Sequence, residues 1–188
     1  MFRNLLDIAY QKATLWKRPH TQRVSAVHKN SWTVSFPDPG IASRLRGFIS
    51  PTEVLPNLFI GSCMAAMDKQ FVDTMDLVVN VSTEIPNYFD GQLPYINIVL
   101  DDINAQTVPD MRVSILEIVR VLRAGGKVLI HCFAGRSRSA MVTLLTMMEI
   151  DPSLSVADAY IILKSKRDCV AINTTFYNYI NDNVKKNA

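Results

Sequence analysis

The chain predicts an α/β fold, in which a central, mostly parallel sheet is flanked by helices on both faces and preceded by an N-terminal helical extension. Three observations carry this. From residue 54 onward, apolar runs of strand length alternate with helix-length periodic segments, the pattern of strand–helix–strand units. A loop of mainly small and polar residues, His131-Cys132-Phe133-Ala134-Gly135-Arg136-Ser137-Arg138-Ser139-Ala140, joins the apolar run Val128-Leu129-Ile130 to a helix-like run ending at Met148. The 188 residues are 48% hydrophobic, enough for one core and one domain.

Taken in order, Phe2, Leu5, Leu6, Ala9, Ala13 and Trp16 recur at helical spacing. Residues 1–19 therefore predict an amphipathic helix, which Pro19 ends. Its apolar stripe must bury against its own domain or against a second copy of the chain. Residues 20–48 read as a linker of unassigned order, with Pro37-Asp38-Pro39-Gly40 marking a sharp turn. The main domain spans 49–186. Its strand candidates are 54–60, 77–81, 95–100 and 127–131, and its helix candidates are 64–74, 108–123, 138–149, 155–166 and 174–184. Pro109 near a helix start and Gly125-Gly126 after its end support the second helix.

Charge is uneven. Residues 1–50 carry eight Lys/Arg against two Asp/Glu, and residues 51–188 carry twelve against fifteen. The basic residues are dispersed, so a solvated basic segment is expected and nucleic acid is not the expected partner. Three cysteines give no disulfide framework, and Cys63 and Cys169 read as buried thiols. The histidines at 20, 28 and 131 are scattered, so no metal and no cofactor is expected. No apolar run reaches the length of a membrane span, and Met1 to Arg18 lacks the apolar stretch of a signal peptide. An intracellular location, cytoplasmic or nuclear, is the expectation. The glycosylation-like triplets Asn80-Val81-Ser82 and Asn173-Thr174-Thr175 accordingly read as accidental.

The loop after Ile130 has the build of a phosphate cradle carrying its own nucleophile. A strand, a tight turn and a helix start aim successive backbone N–H groups at one point, and the positive helix end favours an anion there. Cysteine attacks as a thiolate, and a helix N-terminus with a nearby arginine lowers such a thiol's pKa from about 8.5 to about 3.5–7.5. Arg138 offers a planar fork for two phosphate oxygens. Gly135 permits a close bend, and Ser139 can donate to the sulfur. In-line attack of Cys132 on a phosphate ester would give a cysteinyl-phosphate that water hydrolyses. Phe133, Ala134, Gly135, Arg136, Ser137 and Arg138 would surround the bound phosphate.

This loop resembles that of the cysteine-dependent protein tyrosine phosphatases, and its Ser137-Arg138-Ser139-Ala140 ending resembles the dual-specificity, VH1-like branch. Val54 through Ser62 resembles that family's opening strand, and Leu77-Val78-Val79-Asn80-Val81-Ser82 its next core strand. Ala157 through Tyr160, and Arg167 through Phe176, resemble its closing helices. The likeness covers about residues 50 to 184. It implies a phosphatase-like α/β domain over 49–186 that acts on phosphotyrosine and phosphoserine/threonine in proteins. Some VH1-like enzymes dimerise by exchanging an N-terminal helix, which offers a homodimer as one partner for residues 1–19.

The resemblance also implies a general acid, an aspartate on a loop about thirty residues before the cysteine. Counting from Tyr95 and Ile98 favours Asp102; counting back from Cys132 makes Asp101 the runner-up. In the family, His131 sits behind the loop rather than acting as a base, with a plain packing role as the alternative. Asn173 matches an asparagine that braces the loop, although the usual preceding proline is Ile172 here; helix capping is its alternative. Arg136 stands where some phospholipid phosphatases carry a basic residue, whereas Phe133 replaces the lysine that lipid-directed relatives often place there. A phospholipid, phosphoinositide or RNA 5′-phosphatase is the alternative reading, and a non-catalytic phosphate-binding module the third.

Overall fold

A computed structural model of the chain describes residues 39–101 and 108–186. The expected helix over 1–19, the first part of the linker, and Asp102 lie outside the described residues. Where the linker was expected to continue to 48, Pro39–Ile49 forms helix α1. Proline suits a first helical position, so the anticipated turn is instead a helix start. Phe48 gives the helix an apolar anchor that is 6% exposed.

The expected strand over 54–60 is a hairpin of β1 (Thr52–Leu55) and β2 (Leu58–Gly61), paired antiparallel with Thr52 opposite Ile60. Pro56 has no N–H to give a ladder, and Asn57 takes the left-handed conformation at φ 66°. Its amide donates to Glu53 Oε1 at 2.9 Å, and its side chain to the Gly125 carbonyl at 3.3 Å. The expected helix over 64–74 is likewise divided, into α2 (Cys63–Met67) and α3 (Lys69–Val72). Asp68 is extended between them, and its carboxylate caps α3 at the Phe71 N–H.

Strands β3 (Leu77–Asn80), β4 (Tyr95–Asn97) and β5 (Val128–His131) complete a sheet of order β1-β2-β5-β3-β4, parallel from β2 onward. Helices α4 (Arg112–Arg123), α5 (Arg138–Ile150), α6 (Val156–Lys166) and α7 (Thr174–Lys186) follow. The Asp110 carboxylate accepts the Arg112 N–H at 2.9 Å just ahead of α4, which begins later than its apolar periodicity suggests. Ser155 caps α6 through the Asp158 N–H and donates to the Asp158 carboxylate.

Strand alternation divides the core. Leu58, Ile60, Leu77, Val79, Val128 and Ile130 face one side, where α4 to α7 supply Ile118, Met141, Leu144, Met147, Leu163, Phe176 and Ile180. Val78 and Leu129 face the other, where Ala66 and Val72 of α2 and α3 meet them with Phe59, Phe71 and Tyr88. Both faces are covered, as a parallel sheet requires. Gly61, Asn80 and His131 stand level in the register. The segments leaving β2, β3 and β5 consequently emerge side by side at the carboxyl end of the sheet, where α/β folds place ligands.

Candidate active site

All four residues of β5 are fully buried, so its end is a fixed point from which the next loop is aimed. Cys132 follows at once and is 3% exposed. Its Sγ lies 3.3 Å from Ser139 Oγ and accepts the Gly135 N–H at 3.3 Å. Both contacts can place a hydrogen on sulfur. Gly135 sits at φ 65°. A Cβ there would meet the Gly61 carbonyl oxygen at 2.5 Å and Arg167 Nη2 at 2.6 Å, so glycine is needed for conformation and for space.

Helix α5 begins at Arg138, whose side chain is buried and points at the 82–87 segment. Its Nη1 and Nη2 donate to the two oxygens of Glu84 at 2.7 and 2.5 Å, a fork-to-fork pair. The hydrogen bonds from Arg138 hold the Glu84 carboxyl at about 2, against a partial burial that opposes them. The segment bearing Glu84 is shaped by a polar knot. Asn80 Nδ2 donates to the Ile85 carbonyl at 2.7 Å and to Asn87 Oδ1 at 3.0 Å, while Ser82 Oγ donates to Asn80 Oδ1 at 2.6 Å. Asn80 is 2% exposed, which suits this internal role and no glycan.

His131 is fully buried, and among the described residues neither ring nitrogen has a side-chain hydrogen-bond partner. Burial pushes its pKa down to about 4, so the ring is neutral at pH 7. Arg136 Nε donates to the Cys169 carbonyl at 2.8 Å, and its own carbonyl accepts the Ala171 N–H at 3.0 Å. The side chain expected beside substrate is thus bound to the 169–171 segment. Phe133 is half-buried, its ring centroid 5.9 Å from that of Phe48, and its carbonyl accepts the Cys63 N–H at 3.1 Å. Ala134 is half-buried, and among the described residues the buried Ser137 Oγ has no hydrogen-bond partner. Asn173 Oδ1 accepts the Phe176 N–H at 2.8 Å, the contact of a helix cap on α7.

Asp101 is exposed and follows the buried Leu100, beyond the carboxyl end of β4 and so at the same end of the sheet as Cys132. Two further residues reach this loop. Glu84 is one, and Arg167 is the other: its Nε donates to the Gly135 carbonyl at 2.9 Å. The sequence holds one hint of Glu84, since residues just beyond parallel strands gather at the site. Cys63, Cys132 and Cys169 are all free and buried. Burial first, with the nearby Cys132 adding to it, pushes the Cys63 thiol up to about 11. Among the described residues, no helix is long and apolar enough to cross a membrane.

A family model for the dual specificity phosphatase catalytic domain matches residues 58–185. Dual specificity protein phosphatase 1-A of Xenopus laevis is 31% identical over 129 residues, which are 67% of this chain and 35% of that protein. Human dual specificity protein phosphatase 2 is 34% identical over 129 residues, 67% of this chain and 41% of that protein. The chain therefore spans about two fifths or less of the length of these curated relatives. The crystal structure of human DUSP28 superposes with a TM-score of 0.66 at 28% identity, covering 72% of this chain and 93% of the other.

Proposed function

The chain belongs to the dual specificity phosphatase catalytic-domain family, and on that footing we propose that it hydrolyses phosphotyrosine and phosphoserine/threonine monoesters in proteins through a cysteinyl-phosphate intermediate. The observation that carries the proposal is the grouping of Cys132 and the Gly135 N–H on the loop after β5 with Arg138 and Ser139 on the first turn of α5. In this reaction Cys132 Sγ attacks phosphorus in line, forming an S–P bond as the P–O bond to the substrate breaks. Arg138 and the loop amides hold the phosphoryl oxygens as charge shifts onto them. The leaving oxygen takes a proton from the Asp101–Asp102 pair, with Asp102 the preferred donor. Water then attacks phosphorus and gives its proton to that same aspartate. Sulfur departs as a thiolate toward Ser139 Oγ, and orthophosphate leaves.

A protein substrate is favoured over a polyphosphorylated lipid or RNA end by two contacts. The Arg136 Nε is occupied by the Cys169 carbonyl, and Phe133 presents an apolar ring packed on Phe48 rather than a charge. A purely binding role is disfavoured because nucleophile and arginine occupy one loop. The test is steady-state kinetics of one preparation on doubly phosphorylated peptides, phosphoinositides and 5′-triphosphate RNA. Phosphopeptides are expected to lead by about 10-fold or more, equivalent to about 1.4 kcal/mol in transition-state binding. A lead of that size for either other class would move the assignment to it.

A further inference from the structure

Resting on the phosphatase reading above, we propose that Gly47, Phe48, Ser50 and Thr52, the first and last two joined through Arg167 to Gly135, are a built part of the phosphate loop, so that turnover at Cys132 depends on these four residues, which precede the family-matched segment. Arg167 and Gly47 are positioning residues in this arrangement.

Arg167 is 2% exposed and its guanidinium is spent on four neutral oxygens. Nε donates to the Gly135 carbonyl, Nη1 to the Ser50 carbonyl at 3.1 Å and to Thr52 Oγ1 at 2.9 Å, and Nη2 to the Gly47 carbonyl. A buried guanidinium is costly unless its donors are met. Here they are met by joining the end of α1 and the start of β1 to the middle of the catalytic loop. In a trans peptide the carbonyl and the following N–H point in opposite directions. Holding the Gly135 carbonyl on Arg167 therefore turns the Arg136 N–H away from Arg167. Gly135 itself, fixed at φ 65°, gives its own N–H to Cys132 Sγ. One side chain thus sets the attitude of the peptides that surround the sulfur.

Two more ties run from the same turn. Ser62 Oγ donates to the Phe48 carbonyl while accepting the Met64 N–H at 3.0 Å. The Phe48 ring packs on Phe133, whose carbonyl holds the Cys63 N–H. Cys132 and Ala134 are therefore flanked by two residues, 133 and 135, that α1 restrains. Gly47 lets the helix come this close: a Cβ there would lie 2.3 Å from Cys169 Sγ.

The experiment uses the full chain with Gly47→Ala, Arg167→Lys and, as control, Ile49→Ala on the exposed side of the same turn. Melting temperature, kcat and KM on an aryl phosphate, and the calorimetric affinity for inorganic orthophosphate are measured where every variant is folded. Gly47→Ala and Arg167→Lys are expected to lower kcat by about 10-fold or more, since small displacements of a reacting group are costly. Orthophosphate affinity should weaken in both, while Ile49→Ala keeps the parent values. Melting temperatures that drop while kcat and orthophosphate affinity stay within about 2-fold of the parent would make the contacts a structural brace only and overturn the proposal. If Arg167→Lys fails to fold, Gly47→Ala, which keeps the guanidinium, decides alone. A parent chain with no turnover would sink the phosphatase reading, and the orthophosphate arm would still judge the clamp.

Discussion

At the scale of single residues, the site is held by side chains that never touch phosphate in the mechanism proposed. Glu84 fixes the fork of Arg138, and the pair's geometry is that of a bidentate charge-assisted contact. Glu84→Gln is expected to lower kcat/KM on an aryl phosphate by about 10-fold through a loosened arginine; an unchanged value would remove Glu84 from the machinery. The sign of the pH dependence follows from the depressed carboxyl. Its contribution to stability is present above the ordinary value of 4.5 and is lost as pH falls toward about 2. Because Glu84 is 43% exposed in its side chain, that contribution is modest. His131 acts in a second window: burial favours its neutral form, so stability falls as pH drops from 6.5 toward about 4. Melting temperatures of the parent and Glu84→Gln from pH 7 to pH 2 should keep a constant offset above about pH 4.5, with the parent higher, and converge below it. The loop from His131 to Ser139 was readable in the sequence because glycine, cysteine and arginine are contiguous there. Glu84 lies 54 residues from Arg138, and Arg167 lies 32 from Gly135. No local pattern joins those pairs; only the parallel register and the packing of the 167–171 segment do.

At the scale of elements, helix α5 is the rigid base of the site. Ala140, Met141, Val142, Leu144 and Met147 are all fully buried, so the helix cannot shift without disturbing both β5 and its neighbours. Leu144→Ala is expected to cost about 2–5 kcal/mol in chemical denaturation, with Cys132 chemistry retained in the folded fraction. A cost below about 1 kcal/mol would show that the helix is less tightly packed than its burial indicates. In the proposed mechanism the segment after β4 supplies the acid. Asp102→Asn is predicted to lower kcat more than Asp101→Asn on an aryl phosphate with a poor leaving group, by about 10²-fold against a few-fold; the reverse ranking would move the role to Asp101. Elements were legible where apolar periodicity was long, as in α5, α6 and β3. They were not where one residue breaks the run. Asn57 turns a seven-residue apolar stretch into a hairpin, and Asp68 splits a helix in two. α1 escaped because its proline and glycine read as a turn, while its anchor Phe48 finds its partners, Phe133 and Cys63, only in the folded chain.

At the scale of the molecule, the mostly parallel sheet with helices on both faces was predictable from alternation alone, and its antiparallel first strand is the main departure. The register has a functional consequence: it gathers the segments after β2, β3 and β5 at one edge, so Ser62, Glu84 and Cys132 converge from three loops. The strands that carry them are buried on both faces, which gives Cys132, the proposed nucleophile, a fixed base. The most direct test of that nucleophile is turnover by the full chain carrying Cys132→Ser, assayed beside equilibrium binding of a phosphotyrosine peptide. Turnover is expected to fall by about 10³-fold or more while the peptide still binds. Turnover within about 2-fold of the parent would contradict that role of Cys132.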